Sequence, residues 1–160
     1  MFKLVCDEKD ITYGQRYLLN LLEERKFSAF CRDNGFRFIY TYTIAIGENL
    51  PQLPLIYKLR NIIHPVLWFY TEQEDKPEER LYKDYHPENT ITNDGDQWDY
   101  TQSIGFRKFQ KIENLKSWSI ENGFSYVSMW IIATGRRNPS YAKIKQLKNF
   151  VYPSDWFFNE

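Results

Sequence analysis

The chain has 160 residues, carries 21 Lys and Arg against 21 Asp and Glu, and is 42% hydrophobic. That hydrophobic fraction predicts a globular fold rather than a disordered chain, and the zero net charge is not the composition of a wholly basic nucleic-acid binder. Two cysteines are too few for a disulfide framework or a zinc cage, and no apolar run approaches the roughly 18–20 residues of a membrane span. Since the N-terminus also does not resemble a signal peptide, we expect a cytoplasmic protein that has no cofactor and no membrane association.

The first element predicted is a helix from Gly14 to Asp33, because apolar residues recur there at helical spacing. Asn34-Gly35 ends it, since these residues best adopt the left-handed conformation of a helix C-terminus. Residues 36–46 are dense in aromatic and β-branched side chains on both alternating faces, which predicts a central β-strand. A loop, a short helix over 55–60 and a second strand over 66–70 follow. In the second half, Ser140 is predicted to be the N-cap of the matching short helix over 141–148.

Residues 73–98 interrupt this pattern. From Gln73 to Glu88 the chain has two prolines and six acidic residues against three basic ones. We interpret residues 73–98 as an acidic linker or an exposed excursion. The basic residues are concentrated further on, with nine bases against four acids from Tyr100 to the end. Such asymmetry marks a partner surface, or two patches that face each other within one molecule or across a homodimer.

The second half of the chain repeats the first. Residues 34–72 and 122–160 share 14 identical residues in 39 ungapped pairs at a constant offset of 88, where chance would give roughly two or three. Asn34-Gly35-Phe36 matches the Asn-Gly-Phe that begins at 122, and Trp68-Phe69 matches the Trp-Phe that begins at 156. The same offset pairs Leu18 with Phe106 upstream. Self-similarity of this kind indicates a tandem duplication.

We therefore predict an α+β protein of two tandem helix–strand–helix–strand repeats. Residues 1–72 form the first repeat, 73–98 the acidic excursion and 99–160 the second repeat. One repeat with two strands would cover its apolar faces poorly. The repeats are accordingly expected to be related by a pseudo-two-fold axis and to share one core, as one cooperative body.

The clearest binding candidates lie where the repeats differ in charge. A basic loop that enters a helix can hold phosphate through backbone N–H groups and side chains, and an aromatic residue beside it could stack on a base. The alternative is a solvated face or a contact with the acidic linker. The candidate residues are Arg136, Arg137, Lys143, Lys145, Lys148 and Tyr141.

Two weaker constellations carry other chemistry. Asp94, Asp96 and Asp99 are hard ligands of the type that Ca²⁺ or Mg²⁺ binds, although the run lacks the glycine and distal glutamate of an EF-hand loop; a solvated turn is the alternative. Cys31 and His64 could pair as nucleophile and base, but Cys31 falls on the apolar side of the first helix, which favours a buried structural residue.

These observations favour a non-enzymatic binding protein that engages another protein through aromatic and charged surface patches. One alternative is nucleic-acid binding through the basic loop and helix of the second repeat. The other is a hydrolase or nuclease that depends on a carboxylate-bound metal. The residues that recur between the repeats serve the scaffold, with Glu72 and its counterpart Glu160 as the pair that lacks an evident structural role.

Overall fold

The computed structural model describes residues 2–74 and 99–158. The regular secondary structure in these two ranges is helical. The chain divides into two compact units, unit 1 (Met1–Tyr85) and unit 2 (His86–Glu160). Within the described residues, each unit has four short α-helices followed by a 3₁₀ segment. In unit 1 the helices are α1 (Tyr13–Glu23), α2 (Phe27–Asn34), α3 (Phe38–Ala45) and α4 (Leu53–Lys58), followed by Pro65–Trp68. In unit 2 they are α5 (Ile104–Gln110), α6 (Leu115–Glu121), α7 (Tyr126–Ala133) and α8 (Tyr141–Gln146), followed by Pro153–Phe157.

The α+β prediction is wrong. Within 2–74 and 99–158 no β-strand forms, and Thr12 and Thr71 form an isolated antiparallel bridge. The predicted strand 36–46 is α3, and the predicted strand 66–70 is largely the 3₁₀ helix. A short apolar run does not distinguish a strand from a buried helix by its periodicity. Packing against neighbouring helices overrides the β-propensity of the aromatic and β-branched residues.

Helix α3 shows how this happens. Its buried residues are Thr41, Ile44 and Ala45, which lie three and four positions apart on one helical face against α1 and α2. The hydroxyl of Thr41 donates a hydrogen bond of 2.8 Å to the carbonyl of Arg37, one turn earlier. That bond satisfies the buried hydroxyl within the helix. A threonine-rich segment is thus compatible with a helix when its polar groups are satisfied in this way.

Two signals that act locally were predicted correctly, the stop at Asn34-Gly35 and the N-cap at Ser140. Gly35 ends α2 with φ +72°, in the left-handed region, and its counterpart Gly123 has φ +76°. Ser140 begins α8, and its hydroxyl accepts a hydrogen bond from the backbone N–H of Lys143 at 3.2 Å. The long first helix is divided, however. Arg25 adopts a positive φ of 59° between α1 and α2, which turns the chain at a point that the apolar spacing did not reveal.

The two units repeat the same elements. Helices α2, α3 and α4 begin 88 residues before α6, α7 and α8, respectively. The first helices of the two units, α1 and α5, are related by a different offset, 91. Their N-cap residues, Thr12 and Ser103, are separated by this number of positions. The equivalent of Phe106 is therefore Gln15 rather than Leu18. The three-residue difference arises because α1 has 11 residues and α5 has seven, and the connection after α5 is one residue longer. The pseudo-two-fold axis and the shared core stay predictions.

In each unit, one close contact joins the first α-helix to the 3₁₀ segment that follows the fourth. Gly14 of α1 lies directly under the indole of Trp68, and Gly105 of α5 lies under the indole of Trp156. Both indoles are fully buried. A Cβ atom at Gly14 would lie 2.5 Å from Trp68 Cδ2, and one at Gly105 would lie 2.8 Å from Trp156 Cδ2. Glycine is required here by close approach rather than by its backbone freedom.

Gly14→Ala and Gly105→Ala should each lower the free energy of unfolding by about 1–3 kcal/mol, because the methyl group overpacks the contact with the indole. Alanine is the better helix former by about 1 kcal/mol, so this loss is a net value. Asn20→Ala, at an exposed position of α1, is the control that should not destabilise. Urea denaturation followed by circular dichroism measures all three variants. A glycine variant as stable as the parent chain would contradict the packing argument.

Candidate functional site

The basic segment of unit 2 joins α7 to α8. Gly135 follows α7 with φ +74° and allows the chain to turn. Arg136 and Arg137 are exposed, Pro139 is buried, and Ser140 begins α8. The guanidinium of Arg136 lies 4.5 Å from the centroid of the Trp130 ring, which is a cation–π contact. The two arginines are thus in different environments, although they are adjacent in the sequence.

Two of the six predicted binding residues line one pocket. Arg137 and Lys143 line the same pocket, which has a volume of about 180 Å³. The described lining of this pocket does not include Arg136, Lys145 or Lys148. Tyr141 is buried, with 7% of its surface exposed, so its ring is a core residue and not a platform for stacking on a base. The structure therefore brings together two of the predicted residues.

Tyr100 anchors the loop that carries Arg137. Its buried hydroxyl donates a hydrogen bond of 2.7 Å to the carbonyl of Ile132 in α7. It also has a hydrogen bond with the backbone of Arg137. Burial raises the pKa of Tyr100 to about 12, so the hydroxyl stays protonated at physiological pH. Sequence reasoning missed this residue, because a tyrosine in a polar, turn-like stretch gives no signal for a buried anchor.

The carboxylate site is only partly within the described residues. Asp99 begins the 3₁₀ helix Tyr100–Gln102, and its carboxylate accepts hydrogen bonds from the backbone N–H and the hydroxyl of Thr101, at 3.0 and 2.7 Å. This is a capping role. Asp94 and Asp96 lie outside the described residues. Within the part of the chain that the structure describes, no three His, Cys, Asp or Glu side chains are grouped to hold a metal ion.

His64 and Cys31 both have structural surroundings. His64 is buried before the 3₁₀ helix Pro65–Trp68, where its Nδ1 accepts a hydrogen bond from the backbone N–H of Val66 at 3.2 Å. Burial lowers the pKa of His64 to about 4. Cys31 is buried in α2, and burial raises the pKa of its thiol, against a smaller opposing effect from a hydrogen bond with Thr41. A thiol with a raised pKa is not an activated nucleophile.

Glu72 has a structural partner. Its carboxylate lies 2.7 Å from Nε of Arg16, in an ion pair between α1 and the segment after the 3₁₀ helix. Arg107 occupies the position equivalent to Arg16 in α5, whereas Glu160 lies outside the described residues. Since both side chains of the Arg16–Glu72 pair are about one-third exposed, the pair contributes little to stability. It nevertheless gives Glu72 a structural partner that the sequence did not reveal.

The same apolar positions are exposed in both units, a feature that sequence reasoning missed. Ile39, in the first turn of α3, is 78% exposed, and its counterpart Val127 in α7 is 63% exposed. In all, three pairs of exposed apolar residues within 2–74 and 99–158 share the offset of 88. The pairs are Phe38 with Tyr126, Ile39 with Val127 and Ile62 with Phe150. We name the two sets the α3 set (Phe38, Ile39, Ile62) and the α7 set (Tyr126, Val127, Phe150).

Aromatic contacts hold one ring of each set, Phe38 in unit 1 and Phe150 in unit 2. In unit 1 the ring of Phe38 stacks on Tyr42, with centroids 6.0 Å apart, and meets Phe27 edge-on at 5.4 Å. In unit 2 Trp118 stacks on Phe124 at 5.5 Å and meets Phe150 edge-on at 5.0 Å. Because Phe124 precedes α7 by two residues, Phe150 lies near the beginning of α7. When 36–46 was interpreted as a strand, Phe38 and Ile39 fell on opposite faces that both looked covered.

Comparisons with known proteins give no match: no family model, no curated protein and no solved structure is significantly similar to the chain. In the described part of the chain, every helix is too short or too polar to cross a membrane. The functional argument therefore depends on the geometry of the two units.

The depressed pKa of His64 makes stability depend on pH. A histidine whose pKa is about 4 when folded, against about 6.5 when unfolded, stabilises the fold above pH 6.5, and this contribution is lost as pH falls toward 4. The loss should reach about 2–3 kcal/mol. His64→Asn keeps a capping acceptor and does not titrate. The parent chain should therefore lose stability relative to this variant as the pH falls from about 6.5 toward 4. A histidine resonance that is absent in the variant and titrates near pH 6.5 in the parent would contradict the burial.

Tyr100→Phe should lower the free energy of unfolding by about 1 kcal/mol, because it removes the hydrogen bond to the Ile132 carbonyl. Tyr126→Phe removes a hydroxyl from an exposed tyrosine of the same unit and should change stability by less than about 0.5 kcal/mol. Chemical denaturation of both variants measures the difference. Equal stability of the two variants would show that the buried hydroxyl is not an anchor.

Proposed function

We propose that this protein is a non-enzymatic binding protein, built by internal duplication, that engages another protein through the α3 set and the α7 set. The observation that carries the proposal is the recurrence of exposed apolar side chains at equivalent positions in the two units. None of the three pairs is identical, yet every member is large and apolar. Scattered apolar residues on a surface need no explanation. We take the recurrence of exposed apolar residues at equivalent positions of both units as the sign of a contact surface, since exposed apolar patches mark interaction sites.

The chemistry of these sets fits a protein surface. Phe38 and Phe150 are about half exposed, and their rings are held in place by aromatic neighbours. Tyr126 adds a third exposed ring. Aromatic residues that lose little conformational freedom on binding are enriched at protein interfaces and in their energetic hot spots. Aliphatic side chains at Ile39 and Val127 extend each set into the first turn of its helix. Such a surface binds apolar side chains of a partner.

Charge narrows the class of partner. Residues 99–158 of unit 2 contain nine basic and four acidic residues, whereas residues 2–74 of unit 1 contain nine of each. A partner segment with acidic residues beside its apolar ones therefore complements unit 2, and complementary charge speeds association and selects the partner. We propose an apolar segment flanked by Asp or Glu as the ligand. A homodimer stays a separate prediction, tested by the mass of the protein in solution.

The nucleic-acid alternative has less support. It depended on a stacking aromatic at Tyr141, which is buried, and on a continuous run of basic side chains, of which Arg136 is held over Trp130. Single-strand binding combines a basic groove with exposed aromatic platforms. The metal-dependent alternative has its described member, Asp99, engaged in capping a helix.

Selection of peptides from a random library on the full chain tests the proposal. Enriched peptides should pair bulky apolar residues with Asp or Glu. The double variant Ile39→Ser, Val127→Ser should weaken binding of such a peptide at least tenfold, or about 1.4 kcal/mol, because it removes the most exposed aliphatic side chain of each set. Fluorescence anisotropy with a labelled peptide measures the affinity.

Leu50→Ser is the matched control. Leu50 is an exposed apolar residue of unit 1 whose counterpart in unit 2 is Asn138, so it does not belong to the recurring sets. Its substitution should leave the affinity unchanged. The proposal fails if the selected peptides lack apolar residues, or if the double variant and Leu50→Ser bind them as tightly as the parent chain does.

A further inference from the structure

A second binding feature, independent of the α3 and α7 sets, lies between α7 and the beginning of α8. It is the pocket of about 180 Å³ that Arg137 and Lys143 line. Ligand pockets for drug-sized molecules have volumes of about 300–1,000 Å³, so this one fits a small group. The described lining residues are Ser128, Ile131, Ile132, Arg137, Asn138, Pro139, Ser140 and Lys143.

The polar lining favours an anion. Arg137 and Lys143 supply two positive charges, and none of the described lining residues is acidic. Two hydroxyls and an amide, on Ser128, Ser140 and Asn138, add hydrogen-bond donors. Charge-assisted hydrogen bonds from arginine and lysine to a phosphate are among the strongest that proteins form. The apolar residues that complete the lining, Ile131, Ile132 and Pro139, offer nothing to a cation.

The arginine of this pocket has a fixed backbone. The Arg137 backbone is hydrogen-bonded to the buried hydroxyl of Tyr100, which also donates to the carbonyl of Ile132. Ile132 is itself part of the lining. One buried side chain thus ties the loop to the helix on which the pocket is built. A binding group held by the scaffold loses less conformational freedom when a ligand binds.

Unit 1 has a different arrangement at the equivalent place. The positions of Ser128, Ser140 and Lys143 are occupied there by Tyr40, Gln52 and Leu55, and all three line a pocket of about 260 Å³. The two basic residues of that pocket, Arg37 and Lys58, come from positions that are Ser125 and Gln146 in unit 2. Unit 1 thus has the larger side chain of Tyr40 where unit 2 has Ser128.

We infer that unit 2 binds a phosphomonoester group in this pocket, with Arg137 and Lys143 neutralising its charge and Ser128, Asn138 and Ser140 donating hydrogen bonds. A terminal phosphate carries up to two negative charges and suits a small pocket with two cations. A phosphodiester within a nucleic acid carries one charge and continues in both directions, which calls for an open basic groove. The same terminal group occurs on small metabolites and on phosphorylated protein side chains.

Titration of the full chain with inorganic phosphate and with O-phosphoserine, followed by amide chemical shifts, tests the inference. Both should bind saturably, with shifts concentrated at the lining residues. Arg137→Gln should weaken phosphoserine binding about tenfold, because it removes one of the two cations. Ser128→Tyr, which installs the residue of unit 1, should abolish binding by filling the pocket, and its spectrum reports whether unit 2 stays folded.

Two matched controls separate this pocket from general positive charge. Arg136→Gln changes the neighbouring arginine, whose guanidinium lies over Trp130, and Arg37→Gln changes an arginine of the unit 1 pocket. Both should bind phosphoserine as the parent chain does. The inference is wrong if either control variant weakens binding as much as Arg137→Gln does. It is also wrong if no saturable binding occurs up to about 50 mM phosphate, a concentration that would detect even a very weak site.

Further ligands identify the source of the group. A phosphoserine peptide that binds more tightly than free phosphoserine supports a phosphorylated protein, and equal affinity supports a small phosphorylated molecule. The third ligand is an oligonucleotide without terminal phosphates. If it binds more tightly than both free phosphoserine and the phosphoserine peptide, the pocket binds nucleic acid and the inference of a phosphomonoester is wrong. These results do not depend on the Ile39→Ser, Val127→Ser variant, which should bind phosphoserine normally.

Discussion

The contact on which each unit depends is a glycine packed under a buried tryptophan. Gly14 and Trp68 in unit 1, and Gly105 and Trp156 in unit 2, join the first helix to the last 3₁₀ segment. A buried tryptophan contributes several kcal/mol when its surroundings are close-packed, and only glycine lets a helix backbone approach the indole this closely. The contact connects residues more than fifty positions apart, so it can form only when the intervening helices are folded.

Backbone hydrogen bonds accompany this contact in both units. The first residue of α1, Tyr13, donates its N–H to the carbonyl of Tyr70 at 3.2 Å, and the first residue of α5, Ile104, donates to Phe158 at 2.9 Å. These N–H groups belong to the first turn of a helix, where no partner exists within the helix itself. In each unit the residues after the 3₁₀ segment thus supply a hydrogen-bond acceptor to the first turn of the first α-helix.

The identities between the two halves are largely explained by this scaffold. Ile56, Leu59 and Trp68 are fully buried, as are their counterparts in unit 2, and the glycines that follow the second and third helices have positive φ values in both units. The features on which the two proposals depend lie where identity is lost. The α3 and α7 sets keep size and apolarity without keeping residue type, and the pocket lined by Arg137 and Lys143 has a serine at position 128 where unit 1 has Tyr40.

The sequence alone determined the duplication, the stop signals at Asn34-Gly35 and Asn122-Gly123, and the N-cap of α8, because each depends on residues that act locally or on direct comparison of the two halves. It did not determine that residues 36–46 form a helix, because their aromatic and β-branched side chains are compatible with either period and the choice is made by α1 and α2 packing on one face. Of the predicted site, Arg137 and Lys143 were brought together, while Tyr141 was drawn into the core. Which side of a helix faces solvent is a property of the packed unit, and only the tertiary structure decided it.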